Sequence, residues 1–521
     1  MSIPRFLSYF VGFGTLLVPW AANADSKPIG IMDAIQQALQ NHPSVMIGKQ
    51  SLKVSRGSVQ VAEGSFDWAL QGNVGHTQSG NGGPLDIGSD SYDYSNQSGA
   101  TTMGLSVSKL LPWGMTVSSA VNASRTSSGF EIAGPDTSSV SSTPLLGSVS
   151  FTVSQPLLRG FGSVTTAERD ARKHELTASK SDYEQSIVNQ VRQVVSAYWT
   201  YVSAHAFLAA AQDSEKRSRR LLKDNKKLVK ADLRPAAELR QLEANYSDVK
   251  QSTYRAEQSV LSAKYNLGVA MGLDANQTES LGKPSTGIPQ PPSVEESNLA
   301  AANYLQTALT NRHDLKALQS RSKAAKLRVT STDNAKLPNL DLSGTLRYAG
   351  LGADDDYSMT AIQGGLTNLL GYTAVVNLNF SWPPQNNVAD GLHTQTVAAH
   401  RIAQEAERSL KQVIGASVYS SVSGLEKRAK IAFEGMKAAR LYEESVQNEE
   451  KKLKAGLSTL INLVLTQERL AGARANAITG LQSYAEAILA FRFATGTLMD
   501  SGSGSAQIRP QGLLEFPKEN K

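Results

Sequence analysis

Two periodicities divide the chain. In one set of segments apolar and polar residues alternate with period two, as on a β-strand whose two faces meet different surroundings. Phe66, Trp68, Leu70 and Val74 fall on one face, against Asp67, Gln71, Asn73 and Thr77 on the other. Met103 to Ser108, Met115 to Ala123 and Val149 to Val153 alternate in the same way. Further on, Leu340, Leu342, Leu346 and Tyr348 oppose Asp341, Ser343, Thr345 and Arg347. Tyr372, Ala374, Val376, Leu378, Phe380 and Trp382 then oppose Asn377, Asn379 and Ser381. The pattern predicts strands of about 10 residues, long enough to cross a bilayer at a tilt, with aromatics near their ends. A half-buried sheet of a soluble domain would alternate identically. The polar connections expected over Ser79 to Ser98, Ser127 to Pro144 and Gly350 to Gly371 resemble the outer loops of membrane barrels, while Leu111-Pro112-Trp113-Gly114 reads as a tight turn.

The other set has helical spacing. No proline interrupts Val164 to Lys230, where Ile187, Val191, Val194, Tyr198, Val202 and Leu208 recur three and four residues apart. Such a helix would be about 100 Å long at 1.5 Å per residue. Pro235 opens a second helix running to about Met271. The same text returns from Val388 to Ala455, where Gly456 is placed to end one helix and Ser458 or Thr459 to cap the next. The apolar stripes are narrow and rich in alanine, so neither hairpin can bury itself alone and packing across copies of the chain is expected.

The two sets are arranged twice. Ala38-Leu39-Gln40-Asn41 and Ala308-Leu309-Thr310-Asn311 each open a helical stretch that gives way to strands, and Ser154-Gln155-Pro156 and Ser381-Trp382-Pro383 each close the strand region. The expected organisation is a leader at 1–24, a first repeat at 25–280 with strands about 66–156 and a hairpin about 163–272, and a linker at 281–293. A second repeat at 294–498 holds strands about 339–382 and a hairpin about 386–497, and 499–521 forms a flexible tail.

Composition changes this picture in one respect, the compartment. Arg5, an apolar stretch from Phe6 to Trp20 and Ala22-Asn23-Ala24 predict a secretion leader cleaved after Ala24. The alternative is an N-terminal membrane anchor, for which the stretch is short and broken by Ser8, Gly12, Gly14 and Pro19. The chain has no cysteine, hence neither disulfides nor a lipidated N-terminus, and no run long enough for a membrane helix, so its own strands are the remaining route into a membrane. A net charge of +6 is too mild to indicate nucleic acid as a partner.

In the order and duplication of these features the chain resembles the TolC-like outer-membrane efflux proteins. The features are the Ala-Leu-x-Asn openings, Lys336-Leu337-Pro338-Asn339-Leu340 before a strand, the Ser-x-Pro strand exits and Gly456-Leu457-Ser458-Thr459 before the last helix. The resemblance implies a mixed α and β membrane protein: a homotrimeric outer-membrane β-barrel continuous with a periplasmic α-helical coiled-coil barrel. It also implies a passive exit duct in a Gram-negative bacterium, docking to a periplasmic adaptor and an inner-membrane pump. Phe66, Trp68, Leu70, Leu340, Leu342, Leu346, Val376, Leu378, Phe380 and Trp382 would then face outer-membrane lipid. A soluble periplasmic adaptor, which also carries long α-hairpins, is the alternative.

Two departures stand out. Family members usually supply four strands per chain, whereas four alternate here in the first half alone. Either six strands enter the barrel or the hairpin around Leu111-Pro112-Trp113-Gly114 lies outside its wall. At the periplasmic tip, the family's paired gate aspartates match Asn462 and Leu465, and its linking tyrosine and arginine match Leu453 and Ser458, so the charged ring is missing. Glu238 is the remaining acidic candidate, equally readable as an ordinary solvated residue.

A search for chemistry finds no phosphate loop, zinc motif or nucleophile elbow; no cofactor and no enzymatic activity are expected, and the seven histidines are scattered. One charge pattern remains. Lys223, Lys226, Lys227 and Lys230 crowd the end of the first long helix, and Lys451, Lys452 and Lys454 the end of its counterpart. They form either a solvated face or a basic collar for an acidic adaptor tip or lipid headgroups.

Overall fold

A computed structural model describes residues 28–133, 138–142, 145–232, 235–292, 300–352, 369–499 and 515–516. The leader and nearly all of the tail lie outside the described residues, as does most of the connection between Gly350 and Gly371. Contacts gather the described residues into two compact units. One draws on Met1–Met46, Ile187–Tyr304 and Val418–Lys521, the other on Ile47–Ser186 and Leu305–Ser417.

The duplication seen in the sequence is carried by the backbone. Helices α1 (Ile31–Asn41, 11 residues) and α2 (Pro43–Gly64, 22 residues) are matched by α6 (Ala301–Asn311, 11 residues) and α7 (His313–Asn334, 22 residues). Between α1 and α2 the chain breaks at His42 (φ −70, ψ 129), where Pro43 excludes the α conformation from the residue before it. Arg312 takes the same conformation (φ −65, ψ 123) with no proline behind it. There the Arg312 guanidinium grips the Asp314 carboxylate at 2.6 and 3.1 Å, and Asp314 also accepts the Leu315 N–H.

After a 3-10 turn at Gly162–Thr166 come the long helices α3 (Ala167–Lys230, 64 residues) and α4 (Ala236–Met271, 36 residues), then a short α5 (Ala275–Glu279). Their counterparts are α8 (Asn387–Lys454, 68 residues) and α9 (Leu460–Ala494, 35 residues). Gly272 and Gly456 end α4 and α8 with left-handed backbones, both at φ 74, where a Cβ is disfavoured. Thr459 caps α9 by accepting the Asn462 N–H at 3.3 Å. In the first unit Tyr198, Trp199, Leu267, Met271, Tyr484, Ile488 and Phe491 are fully buried. The linker is strapped to this core: Tyr201 Oη donates to the Gly282 carbonyl and Tyr198 Oη to Ile29, which itself bridges Pro284. Where α8 meets α9, Gly435 and Gly480 leave no room for side chains. A Cβ on either would lie 3.3 or 3.2 Å from the Cα of Ala477 or Ala432.

All strands among the described residues belong to one antiparallel sheet. They are β1 (Ala69–Ile87), β2 (Asp90–Leu110), β3 (Thr116–Ala133), β4 (Ser138–Ser142), β5 (Leu145–Pro156), β6 (Asn339–Gly352) and β7 (Leu369–Ser381). The order is β1-β2-β3-β5-β6-β7, with β4 paired to β3 off this path. Three expectations need correction. β1, β2 and β3 have 19, 21 and 18 residues instead of about 10, and Ser79 to Ser98 is paired residue by residue around a two-residue turn at Gly88-Ser89 instead of forming a loop. The connection expected over Ser127 to Pro144 is likewise strand in its described part, since β3 runs on to Ala133 and pairs with β4 from Ser128 to Ile132. Ladder hydrogen bonds form between any backbones, so a ribbon polar on both faces extends without alternating. Phe66 and Trp68 precede β1, because the Phe66 and Asp67 N–H groups still bond back to Glu63 and Gly64 in a helical turn after α2. Trp382 likewise follows the last residue of β7.

Candidate functional site

The sheet separates its side chains into two faces, and the register fixes which residues share one, since directly opposed residues point the same way. One row runs Leu70, Val107, Ser119, Phe151, Leu346, Ala374; the next runs Gly72, Leu105, Val121, Val149, Tyr348, Tyr372. The intervening row on the other face runs Gln71, Ser106, Ala120, Ser150, Arg347, Thr373. One face is thus apolar from β1 to β7 and the other hydrophilic. Leu70, Leu340, Leu342, Leu346, Val376, Leu378 and Phe380, expected to share a face, do so across β1, β6 and β7. Large apolar side chains on this face are exposed, Val376 at 76% and Leu378 at 62%. On the hydrophilic face Asp341 and Arg347 are the charged residues of β6, and Arg347 reaches Ser148 Oγ at 3.2 Å. Trp68 and Phe66 lie under cations, Lys109 Nζ 5.0 Å from one ring centroid and the Arg169 guanidinium 5.5 Å from the other.

The turn from α8 to α9 builds the tip of the second hairpin. Asn462 and Leu465 both project outward at its start, and with Leu457 and Ile461 the leucine completes an exposed stripe at four-residue spacing. Leu457, at 79% exposure, is the most open of the three apolar residues. Leu453 does the opposite: it packs with Leu221 against the buried Leu242, Leu460, Leu463 and Val464. Ser458 donates to Glu449, and that hydrogen bond, more than the nearby Lys452, holds the Glu449 carboxyl below its usual range. Glu238 is half-buried near the start of α4. Lys223, Lys226, Lys227, Lys230, Lys451, Lys452 and Lys454 are all exposed, and Lys452 makes a 3.4 Å ion pair with Glu449.

Two charge clusters were not among the sequence expectations. Arg474 on α9 binds Asp213 on α3 and, at 2.8 Å, Glu443 on α8, and Arg217 adds a second contact to Asp213. Burial works to raise the Asp213 carboxyl, but the two guanidiniums outweigh it and hold it low. Arg328 on α7 similarly clasps Glu168 at 3.0 Å and Glu175 at 2.7 Å on α3. The Glu175 carboxyl is lowered against the effect of its own burial. Asp213 with Arg217 four residues on was a readable hint; the partners hundreds of residues away were not. Among the described residues no group of acidic or histidine side chains converges on a metal position, and no helix is long and apolar enough to cross a membrane.

Comparison with known proteins bears on this arrangement. A search of curated proteins with the sequence finds no match. Among solved structures the fold resembles the outer membrane protein VceC of Vibrio cholerae, with 16% identity, TM-score 0.62, and coverage of 89% of this chain and 96% of that one. It also resembles the Campylobacter jejuni CmeC outer membrane channel, with 14% identity, TM-score 0.60, and coverage of 90% and 85%. The open Neisseria gonorrhoeae MtrE outer membrane channel matches with 15% identity, TM-score 0.61, and coverage of 89% and 88%. The family model described as outer membrane efflux protein matches residues 114–273 and 304–497, well over half of the sequence. The chain therefore belongs to the outer membrane efflux protein family.

Proposed function

We propose that three copies of the chain close their sheets edge to edge into one barrel, and that their hairpins form a periplasmic tunnel beneath it. The duct is passive: a periplasmic adaptor docks at the tips and an inner-membrane pump supplies the energy. The observation that carries this reading is the separation of a largely apolar from a largely hydrophilic face across every strand pair of the main path. Such a surface suits lipid on one side and water on the other. Within the described residues β1 and β7 each have a single neighbour. Backbone groups in hydrocarbon must be bonded, so those edges need partners. The six strands of the path alternate in direction, so β7 of one copy can pair antiparallel with β1 of the next. Mass measurement of the purified protein in detergent tests the assembly: a trimer is expected, and a stable monomer would overturn it.

At the tip, three copies of Asn462 bring no charge and three copies of Leu465 form an apolar collar, which closes a narrow pore by dewetting. The isolated channel is expected to show weak cation selectivity. Asn462→Asp together with Leu465→Asp should raise the cation-to-anion permeability ratio roughly several-fold through the focused field of the new carboxylates. Reversal potentials in a salt gradient provide the check; strong cation selectivity in the unmodified channel would mean that another acid, such as Glu238, forms the ring.

The exposed lysines at both tips give docking an electrostatic component. Replacing Lys223, Lys226, Lys227 and Lys230 with Glu should slow association with the adaptor by at least about tenfold at low salt, with the difference shrinking as salt rises. Surface-binding kinetics at two ionic strengths measure it, and equal rates would assign these lysines to a merely solvated face.

A further inference from the structure

The repeat locates the additional strands. β1 follows α2 with the same step by which β6 follows α7, Gly64 to Ala69 and Asn334 to Asn339, and β5 and β7 both leave the sheet at a Ser-x-Pro. β1 and β5 are therefore the first-half equivalents of β6 and β7. β2 and β3 form a hairpin inserted between them, with no second-half equivalent among the described residues. Were this hairpin to stand outside a four-stranded wall, β1 would have to lie beside β5. Instead β1 pairs with β2, β2 with β3 and β3 with β5, each over at least ten consecutive positions.

From this we propose that the β2–β3 hairpin is part of the membrane wall itself, so that each copy contributes six strands. Three observations support it beyond the pairing. The apolar face continues through Met103, Leu105 and Val107 on β2 and Val117, Val121 and Ala123 on β3, with Ser119 a polar member between Val117 and Val121, and the rows of Val107 and Leu105 run on to Phe151, Leu346 and Tyr372. Leu105 and Val121 are exposed on that face. The hydrophilic face continues equally, through Ser106, Gly104 and Thr102 on β2 and Ser118, Ala120 and Asn122 on β3. Gly104 sits so tightly between Asn73 and Asn122 that a Cβ would lie 2.4 and 2.7 Å from their oxygens. Finally, the turn joining β2 to β3 is anchored at the end of the sheet where the helices begin: the Gly162 N–H donates to the Trp113 carbonyl, and Gly114, at φ 98, abuts the Gly160 carbonyl.

The inference rests on the trimeric barrel proposed above, and in that trimer the wall holds eighteen strands. With strands about 4.8 Å apart and tilted about 40°, a twelve-stranded wall has a backbone radius of about 12 Å and an eighteen-stranded one about 18 Å. The cross-section of the membrane passage would be about double, so the tip, not the wall, would limit the size of the cargo.

The absence of native cysteine allows a clean test. Leu105→Cys, Val121→Cys, Ser106→Cys and Asn122→Cys, with Leu342→Cys as reference, are labelled with a fluorophore in liposomes containing either bilayer-centre nitroxide lipid or aqueous iodide. Labels at Leu105 and Val121 should be quenched by the lipid nitroxide to within about twofold of the Leu342 label, and those at Ser106 and Asn122 preferentially by iodide. If the Leu342 label is lipid-quenched while those at Leu105 and Val121 respond only to iodide, the hairpin lies outside the wall and the inference fails alone. If the Leu342 label also ignores the lipid quencher, the barrel reading fails with it.

Discussion

Leu378→Arg is expected to reduce sharply the amount of folded protein recovered in the outer membrane. Leu378 lies on the apolar face opposite Leu342, between Val376 and Phe380, and is exposed. An arginine on a lipid-facing strand position near the bilayer midplane costs about 2–4 kcal/mol. Leu342→Arg should behave alike. Ser343→Arg, opposite Asn377 on the hydrophilic face, should leave the yield nearly unchanged because its guanidinium stays hydrated. Heat-modifiable mobility and yield from membrane fractions compare the three; equal losses would mean that the two faces do not separate lipid from water.

A second large effect is expected at Gly272, and a small one at Gly456, although both have φ 74. An alanine in the left-handed region costs about 1–2 kcal/mol. At Gly456 nothing lies within 4 Å of a new Cβ, so that is the whole cost. At Gly272 the Cβ would lie 2.8 Å from His42 Cα and 3.0 Å from its nitrogen, backbone atoms at the α1–α2 break that cannot swing aside. Overpacking adds about 1–3 kcal/mol there. Gly272→Ala should therefore lower the apparent midpoint of helix loss, followed by circular dichroism, distinctly more than Gly456→Ala. Equal shifts would show that the α1–α2 break yields at little cost.

Much of this architecture is legible along the chain because it depends on near neighbours. The 3.6- and 2-residue periodicities placed the helices and strand faces, and the Gly456 end with a cap at Ser458 or Thr459 follows from backbone sterics and one side-chain oxygen, the structure choosing Thr459. The facing of Leu340, Leu342, Val376 and Leu378 was readable for the same reason. The strand lengths were not: Ser79 to Ile87 and Asp90 to Ser98 are extended because they pair with one another, and a polar ribbon leaves no trace in hydropathy.

Tertiary structure alone decided the rest. The break at Arg312 has no proline to announce it and is held by Asp314. Leu453 is half-buried, while Leu465 on the next helix is exposed, because Leu221 and Leu242 from the other hairpin cover only the former. The Arg474 bond to Asp213 spans 261 residues of sequence, and no local pattern can encode such a meeting. The place of β2 and β3 was decided in the same way. Their alternation marked them as strands, but only pairing with β1 and β5 gave them a position, since a strand's partner is chosen by the backbone and apolar face that lie beside it in the folded chain.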